Sequence, residues 1–159
     1  MGKLLSFIIK ASIYLSVFLV PLVWSPWTFE SFEFPKQYVL IFLVLLGGLA
    51  WLIKMVLVDR EIHLKRTPLD VPIFLFVLIA VLSSFFSADL WSSLFGYYGR
   101  FSDGLFGILA AIGLYVLIIN NITRPSFLVR PFLLSSAVVV TIGYLSLLEV
   151  IQQFSLPVS

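Results

Sequence analysis

The chain has 159 residues, 61% of them hydrophobic and 11% charged, with a mean hydropathy of +1.13. A soluble domain is about half apolar and about a quarter charged, so this balance belongs to a protein dissolved in lipid. There is no cysteine, which excludes disulfide frameworks, iron–sulfur clusters and thiol nucleophiles, and the single histidine, His63, has no partner for a metal or a catalytic triad. Ten basic and eight acidic residues give a net charge of +2, too even for a nucleic-acid-binding arm.

A helix that crosses a bilayer needs about 20 apolar residues, each rising about 1.5 Å, to cover about 30 Å of hydrocarbon. Five blocks approach that requirement. The first covers residues 4–24, is interrupted by Lys10 and closes at Pro21 and Pro26. It is too long for a signal peptide, and no small-x-small cleavage site follows it, so it reads as a retained anchor. The second, 37–58, lies between Pro35 and the charged run Asp59-Arg60-Glu61. The third, 71–86, carries Pro72 in its first turn, where a missing N–H costs little. The fourth, 104–119, stops at Asn120-Asn121, and the fifth, 131–151, opens on Pro131. Blocks three and four are short, so their flanking residues are expected to join them. None of the five alternates with period two, so a membrane β-barrel fits poorly. The expected fold is all-α: a polytopic transmembrane bundle of about five spanning helices in a single membrane domain.

Lysine and arginine set the orientation. With the amino terminus inside, the inner side collects Lys3, Lys10, Lys54, Arg60, Lys65, Arg66, Arg124 and Arg130, and the outer side keeps Lys36 and Arg100. The positive-inside rule then places the amino terminus in the cytoplasm and the carboxyl terminus outside. Lys10 and Lys54 lie within apolar blocks but near their inner ends, where a long side chain snorkels to the interface. Trp24, Trp27, Tyr38, Trp91, Tyr97 and Tyr98 form an aromatic belt at the outer interface.

The connecting segments carry the candidate chemistry. The inner loop 59–70 mixes both charges around His63 and reads as a solvated, orientation-setting loop. Asn121-Ile122-Thr123 has the form of a glycosylation acceptor but falls on the inner side in this topology. In the first outer loop, Glu30 and Glu33 are either an acid–base pair or a means of keeping the loop in water, and the second is the commoner use of such a pair. Glu149 near the outer end of the fifth block is costly unless it reaches water or a partner. Gly47-Gly48, Gly107 with Ala111, and Gly143 are small residues that let helices approach.

The outer segment 87–103 is the most informative. Leu90, Trp91, Leu94 and Phe95 recur at helical spacing among Asp89, Ser92 and Ser93, so a short amphipathic helix near 88–95 is expected in the headgroup layer. It leads into Gly96-Tyr97-Tyr98-Gly99-Arg100. Glycine lets the backbone turn sharply, and arginine presents a planar fork of donors matched to phosphate oxygens. Arg100 therefore reads either as a contact for a diphosphate headgroup or as a side chain snorkelling to ordinary lipid phosphates.

Four motifs together resemble the amino-terminal part of the O-antigen ligase/polymerase family of bacterial membrane proteins. They are Phe32-Glu33-Phe34-Pro35-Lys36 before the second helix, Thr67-Pro68-Leu69-Asp70 before the third, Ser93-Leu94-Phe95-Gly96-Tyr97-Tyr98-Gly99-Arg100 in the outer hairpin, and the closing Ile151-Gln152-Gln153-Phe154. The resemblance implies a multi-pass glycosyltransferase of the bacterial inner membrane. Such an enzyme moves glycan from an undecaprenyl-diphosphate carrier to lipid A-core, another glycan or a protein, with no nucleotide or metal cofactor required. It also implies that Arg100 contacts the diphosphate, supported by the loop residues Gly96, Tyr97, Tyr98 and Gly99. In that family the carboxyl-terminal half bears a large outer loop with further catalytic arginine and histidine residues, which this chain lacks. The expectation is a fragment that does not turn over substrate alone. The alternative is a small polytopic scaffold or modulator that acts by helix packing. A transporter subunit is disfavoured because no charge lies near a helix centre.

Overall fold

The computed structural model describes residues 2–25, 33–59, 64–97, 99–124 and 126–147. Among them the chain is helical: α1 (Gly2–Leu22), α2 (Glu33–Lys54), α3 (Asp70–Phe85), α4 (Leu90–Phe95), α5 (Leu105–Asn121) and α6 (Ser126–Leu147). A π-helical turn, Met55–Asp59, extends α2, and a 3₁₀ turn, Phe101–Asp103, precedes α5. Three stretches are long and apolar enough to cross a membrane: Gly2–Leu22, Glu33–Asp59 and Ser126–Leu145. The apolar helices α3 and α5 are shorter.

The observed boundaries differ from the sequence expectation at two prolines. Pro35 sits in the first turn of α2, where its missing donor has no intrahelical partner to lose, so the helix begins at Glu33. Pro131 lies inside α6, which starts at Ser126 rather than at the proline. It withholds one hydrogen bond from the Phe127 carbonyl, and the turns on either side continue. The expected end of that helix, 148–151, lies outside the described residues, as do Trp27, Glu30, His63, Tyr98, Glu149 and the closing Gln152-Gln153 motif. At the end of α5, Asn120 and Asn121 complete the last turn, donating their side-chain amides to the Val116 and Leu117 carbonyls at 2.8 and 3.1 Å.

The helices gather at two poles. Ser12 of α1 meets Gly47 of α2, and Gly2 meets Val58, so these two helices are antiparallel. Gln37 lies against Gly107, Val44 against Gly113 and Gly47 against Leu117, so α2 and α5 run parallel. One pole therefore holds the start of α1 and the ends of α2 and α5. There, Lys65 N–H donates to Asn120 Oδ1 at 2.8 Å, and Thr67 Oγ1 lies 3.1 Å from the Tyr115 hydroxyl. The Asp70 carboxylate accepts from Thr67 N–H at 2.8 Å and from its hydroxyl at 2.5 Å, which folds the Thr67-Pro68-Leu69-Asp70 motif into the first turn of α3.

Among the described residues the interior mixes aliphatic side chains with small hydroxyls, and the outside is strongly apolar. Ile9, Ile13, Ser12 and Ser135 are fully buried, whereas Phe74, Ile79 and Phe85 on α3 are 66%, 63% and 74% exposed. Water would not tolerate that surface; hydrocarbon does. The buried hydroxyls mostly turn back on their own helices: Ser16 donates to the Ser12 carbonyl at 2.8 Å and Ser135 to that of Phe132 at 2.9 Å. With no hydrophobic effect between helices in lipid, association rests on close approach and dispersion. Gly47 is where three helices approach at once, since a Cβ there would lie 3.1 Å from Ser12 Cβ of α1 and 3.2 Å from Leu117 Cδ1 of α5.

Gly47→Leu is expected to separate α1, α2 and α5 and cost about 1–3 kcal/mol, read as a lowered thermal midpoint in detergent. Gly48→Ala is expected to be neutral or stabilising, because nothing lies within 4 Å of its side-chain position.

Candidate functional site

The segment between α3 and α5 folds as a pinched hairpin at the pole opposite the lysine-rich one. Asp89 caps α4. Its Oδ1 accepts the backbone N–H groups of Trp91 and Ser92 at 3.1 and 3.4 Å, and its Oδ2 accepts the Ser92 hydroxyl at 2.5 Å. The expected amphipathic helix near 88–95 is thus present as Leu90–Phe95, with Trp91 stacked on Phe95 at 5.3 Å. Gly96 ends it with φ +79°, a left-handed value that a side chain disfavours. Arg100 N–H donates to the Tyr97 carbonyl at 2.8 Å and closes a tight turn in which Gly99 has φ +84°.

The hairpin then presses its two arms together. A Cβ on Gly104 would overlap the Gly96 nitrogen, and one on Gly96 would come within 2.6 Å of the Arg100 carbonyl oxygen and Phe101 Cα. No side chain fits at either position. Aromatic contacts tie the hairpin down: Phe95 to Phe106 of α5 at 5.0 Å, and Phe101 edge-on to Phe34 of α2 at 5.1 Å. Ser102 donates to the Glu33 carboxylate at 3.4 Å. The Glu33-Phe34 start of α2 and the Gly-Tyr-Tyr-Gly-Arg hairpin, far apart in sequence, therefore form one unit.

Two hollows flank this unit. On one side lies a polar depression of about 270 Å³, lined by Asp89, Ser92, Ser93, Tyr97, Arg100 and Asp103. Arg100 is there, its side chain 72% exposed, with Nη1 3.9 Å from Asp103 Oδ2. An exposed pair at that distance is weak and screened, so it does not hold the guanidinium against a bidentate acceptor. On the other side lies an apolar cavity of about 410 Å³ between α2 and α5, with Tyr38, Phe95, Phe101 and Phe106 among its walls. The Gln37 side-chain nitrogen is buried at its edge and makes no hydrogen bond among the described residues.

Of the residues singled out from the sequence, the structure places Gly96, Tyr97, Gly99 and Arg100 together at this hairpin; Tyr98 lies outside the described residues. Glu33 serves as an acceptor for Ser102 rather than facing a second described carboxylate. Sequence reading passed over Asp103 and Asp89 as neighbours of Arg100, although the three-residue spacings Arg100 to Asp103 and Asp89 to Ser92 are readable signals of a pair and a cap. It also passed over Gln37, a polar residue opening an apolar block. No group of three or more metal-ligating side chains occurs among the described residues. Compared with family models, curated proteins and solved structures, the chain has no match.

Hydrogen bonds from the Ser92 hydroxyl and backbone, and from Trp91 N–H, hold the Asp89 carboxyl below its ordinary value of 3.8. Its contribution to the hairpin is therefore complete above 3.8 and is lost as pH falls through the lowered value. Protection of the Ser92 and Ser93 amides, taken relative to the intrinsic exchange rate at each pH, is expected to fall on acidification in the wild type. It should stay flat in Asp89→Asn, which keeps a capping oxygen without a titrating group.

Proposed function

We propose that this chain is the amino-terminal part of a bacterial inner-membrane glycan ligase or polymerase of the O-antigen type, and that its hairpin receives the undecaprenyl-diphosphate carrier. One observation carries the reading: Phe95 and Phe101 line an apolar cavity, while Gly96, Tyr97 and the exposed Arg100 of the same hairpin line a polar depression. An amphiphile with a hydrocarbon tail and a diphosphate head needs both surfaces, side by side, at the membrane boundary. The tail lies against Phe95, Phe101 and Phe106, and the head takes the Arg100 fork from Asp103. In glycan transfer the diphosphate leaves, and a guanidinium beside it stabilises the charge that develops. The acceptor and the glycan are carried by parts of the enzyme beyond this hairpin.

The orientation belongs to the same proposal. Lys3, Lys54, Lys65 and Arg66 cluster at the pole opposite the hairpin, which by the positive-inside rule is cytoplasmic and leaves Arg100 facing out. α3 and α5 are taken as crossings four and five alongside the three long helices, since both run between the same poles.

A second reading, a polytopic scaffold acting through helix packing, is favoured by α3. It packs against α4 and α5 and leaves Phe74, Ile79 and Phe85 uncovered.

In the complete enzyme, Arg100→Ala is expected to reduce transfer by about tenfold to a hundredfold, the worth of a charge-assisted hydrogen bond, while expression persists. Arg100→Lys should recover part of it, and Asp103→Asn should tighten carrier binding by removing the competing carboxylate. Wild-type transfer by the alanine variant would exclude the site and favour the scaffold. A reporter fused after residue 95 should label outside and one fused after residue 63 inside; the reverse pattern would invert the bundle.

A further inference from the structure

At the pole opposite the hairpin, Lys3, Lys10 and Lys54 line a single groove of about 490 Å³ together with Ser6, Phe7 and Val58. Lys3 and Lys10 are seven residues apart on α1, which puts them on one face and about 10 Å apart along the axis. Lys54 enters from the last turn of α2. The π-helical turn that follows brings Asp59 Oδ2 to 3.8 Å from its ammonium group. Among the described residues that is the one carboxylate set against three ammonium groups here. Neither Lys3 nor Lys10 has an ion-pair partner among the described residues. Convergent like charges at a membrane boundary repel one another and lose hydration, and an anion relieves both costs.

We propose that this groove binds an anionic phospholipid, its phosphate held by the three lysines and one acyl chain laid over Phe7. The phosphate follows from the charge imbalance. The lipid, rather than a free anion, follows from Phe7, which lies between the two α1 lysines on the same face and is 72% exposed. A hydrocarbon chain covers that ring, whereas inorganic phosphate leaves it bare. Lys10 begins about 12 Å from the start of α1 and reaches back along the helix to the phosphate by snorkelling. The site is separate from the carrier-binding hairpin and requires only that the chain be embedded in a membrane. It stands or falls independently of the glycan reading and of which pole faces the cytoplasm.

The test is thermal unfolding of the full chain in neutral detergent, titrated in parallel with phosphatidylglycerol, phosphatidylcholine and inorganic phosphate. Phosphatidylglycerol is expected to raise the midpoint saturably and the other two to leave it in place. Lys3→Gln and Lys10→Gln should each weaken the phosphatidylglycerol affinity by about fivefold, as expected for one lysine near a lipid phosphate. Each variant is referred to its own lipid-free midpoint. Lys10→Arg should retain the affinity, and Lys65→Gln, at the same pole but outside the groove, should be silent. Phe7→Ser should weaken the lipid response as well. The proposal is overturned if the double variant Lys3→Gln/Lys10→Gln keeps wild-type affinity, or if Lys65→Gln weakens it as much. It is equally overturned if inorganic phosphate protects as well as the lipid, which would make the groove a free-anion site.

Discussion

The close approach at Gly47 is the contact on which the rest of the bundle depends. In hydrocarbon the apolar side chains of a helix gain nothing by leaving their solvent, so helices cohere only where backbones come near enough for dispersion to accumulate. Gly47 admits Ser12 from α1 and Leu117 from α5 at distances that leave no room for a methyl group without displacement. α1 turns Ile9 and Ile13 into the same seam, and α2 adds Ala50 beside it. Once these three helices are clamped, α6 packs on α1 and α3 on α5, each through one side, leaving the other for lipid.

The same solvent governs the chain reversals. A backbone leaving a helix in or near lipid must satisfy its N–H and carbonyl groups locally. The segment between α3 and α5 does this with a capped six-residue helix, a turn closed from Arg100 to Tyr97 and a 3₁₀ turn. The compactness this requires is what forces glycine at 96 and 104. It also has a chemical result, because folding the segment so tightly sets an apolar wall and a polar wall back to back. The arginine stands on the polar side with two aspartates for company. A site so arranged is matched to a ligand that is itself amphiphilic.

Much of this was readable in the residues. The helical blocks announced themselves through unbroken apolar runs, and the short helix through Leu90, Trp91, Leu94 and Phe95. Prolines misled at the edges. Pro35 and Pro131 look like boundaries in the sequence, yet the first sits in a first turn whose N–H groups have no intrahelical partner and the second costs one bond inside a long helix. The Gly-Tyr-Tyr-Gly-Arg run stood out by its turn chemistry. Its companions did not: Phe34 and Glu33 reach it only because α2 and α5 run parallel in one register. The same holds for the lysine groove, since Lys54 is 44 residues from Lys10 and meets it through the antiparallel pairing of α1 and α2.

Composition and periodicity alone determined that this chain is helical and lipid-facing, and where its reversals fall, because the exclusion of water from backbone amides acts on each segment by itself. Which faces meet was decided by the tertiary structure. An apolar helix in apolar solvent has no preferred side until a particular glycine, serine and leucine find the geometry in which they touch.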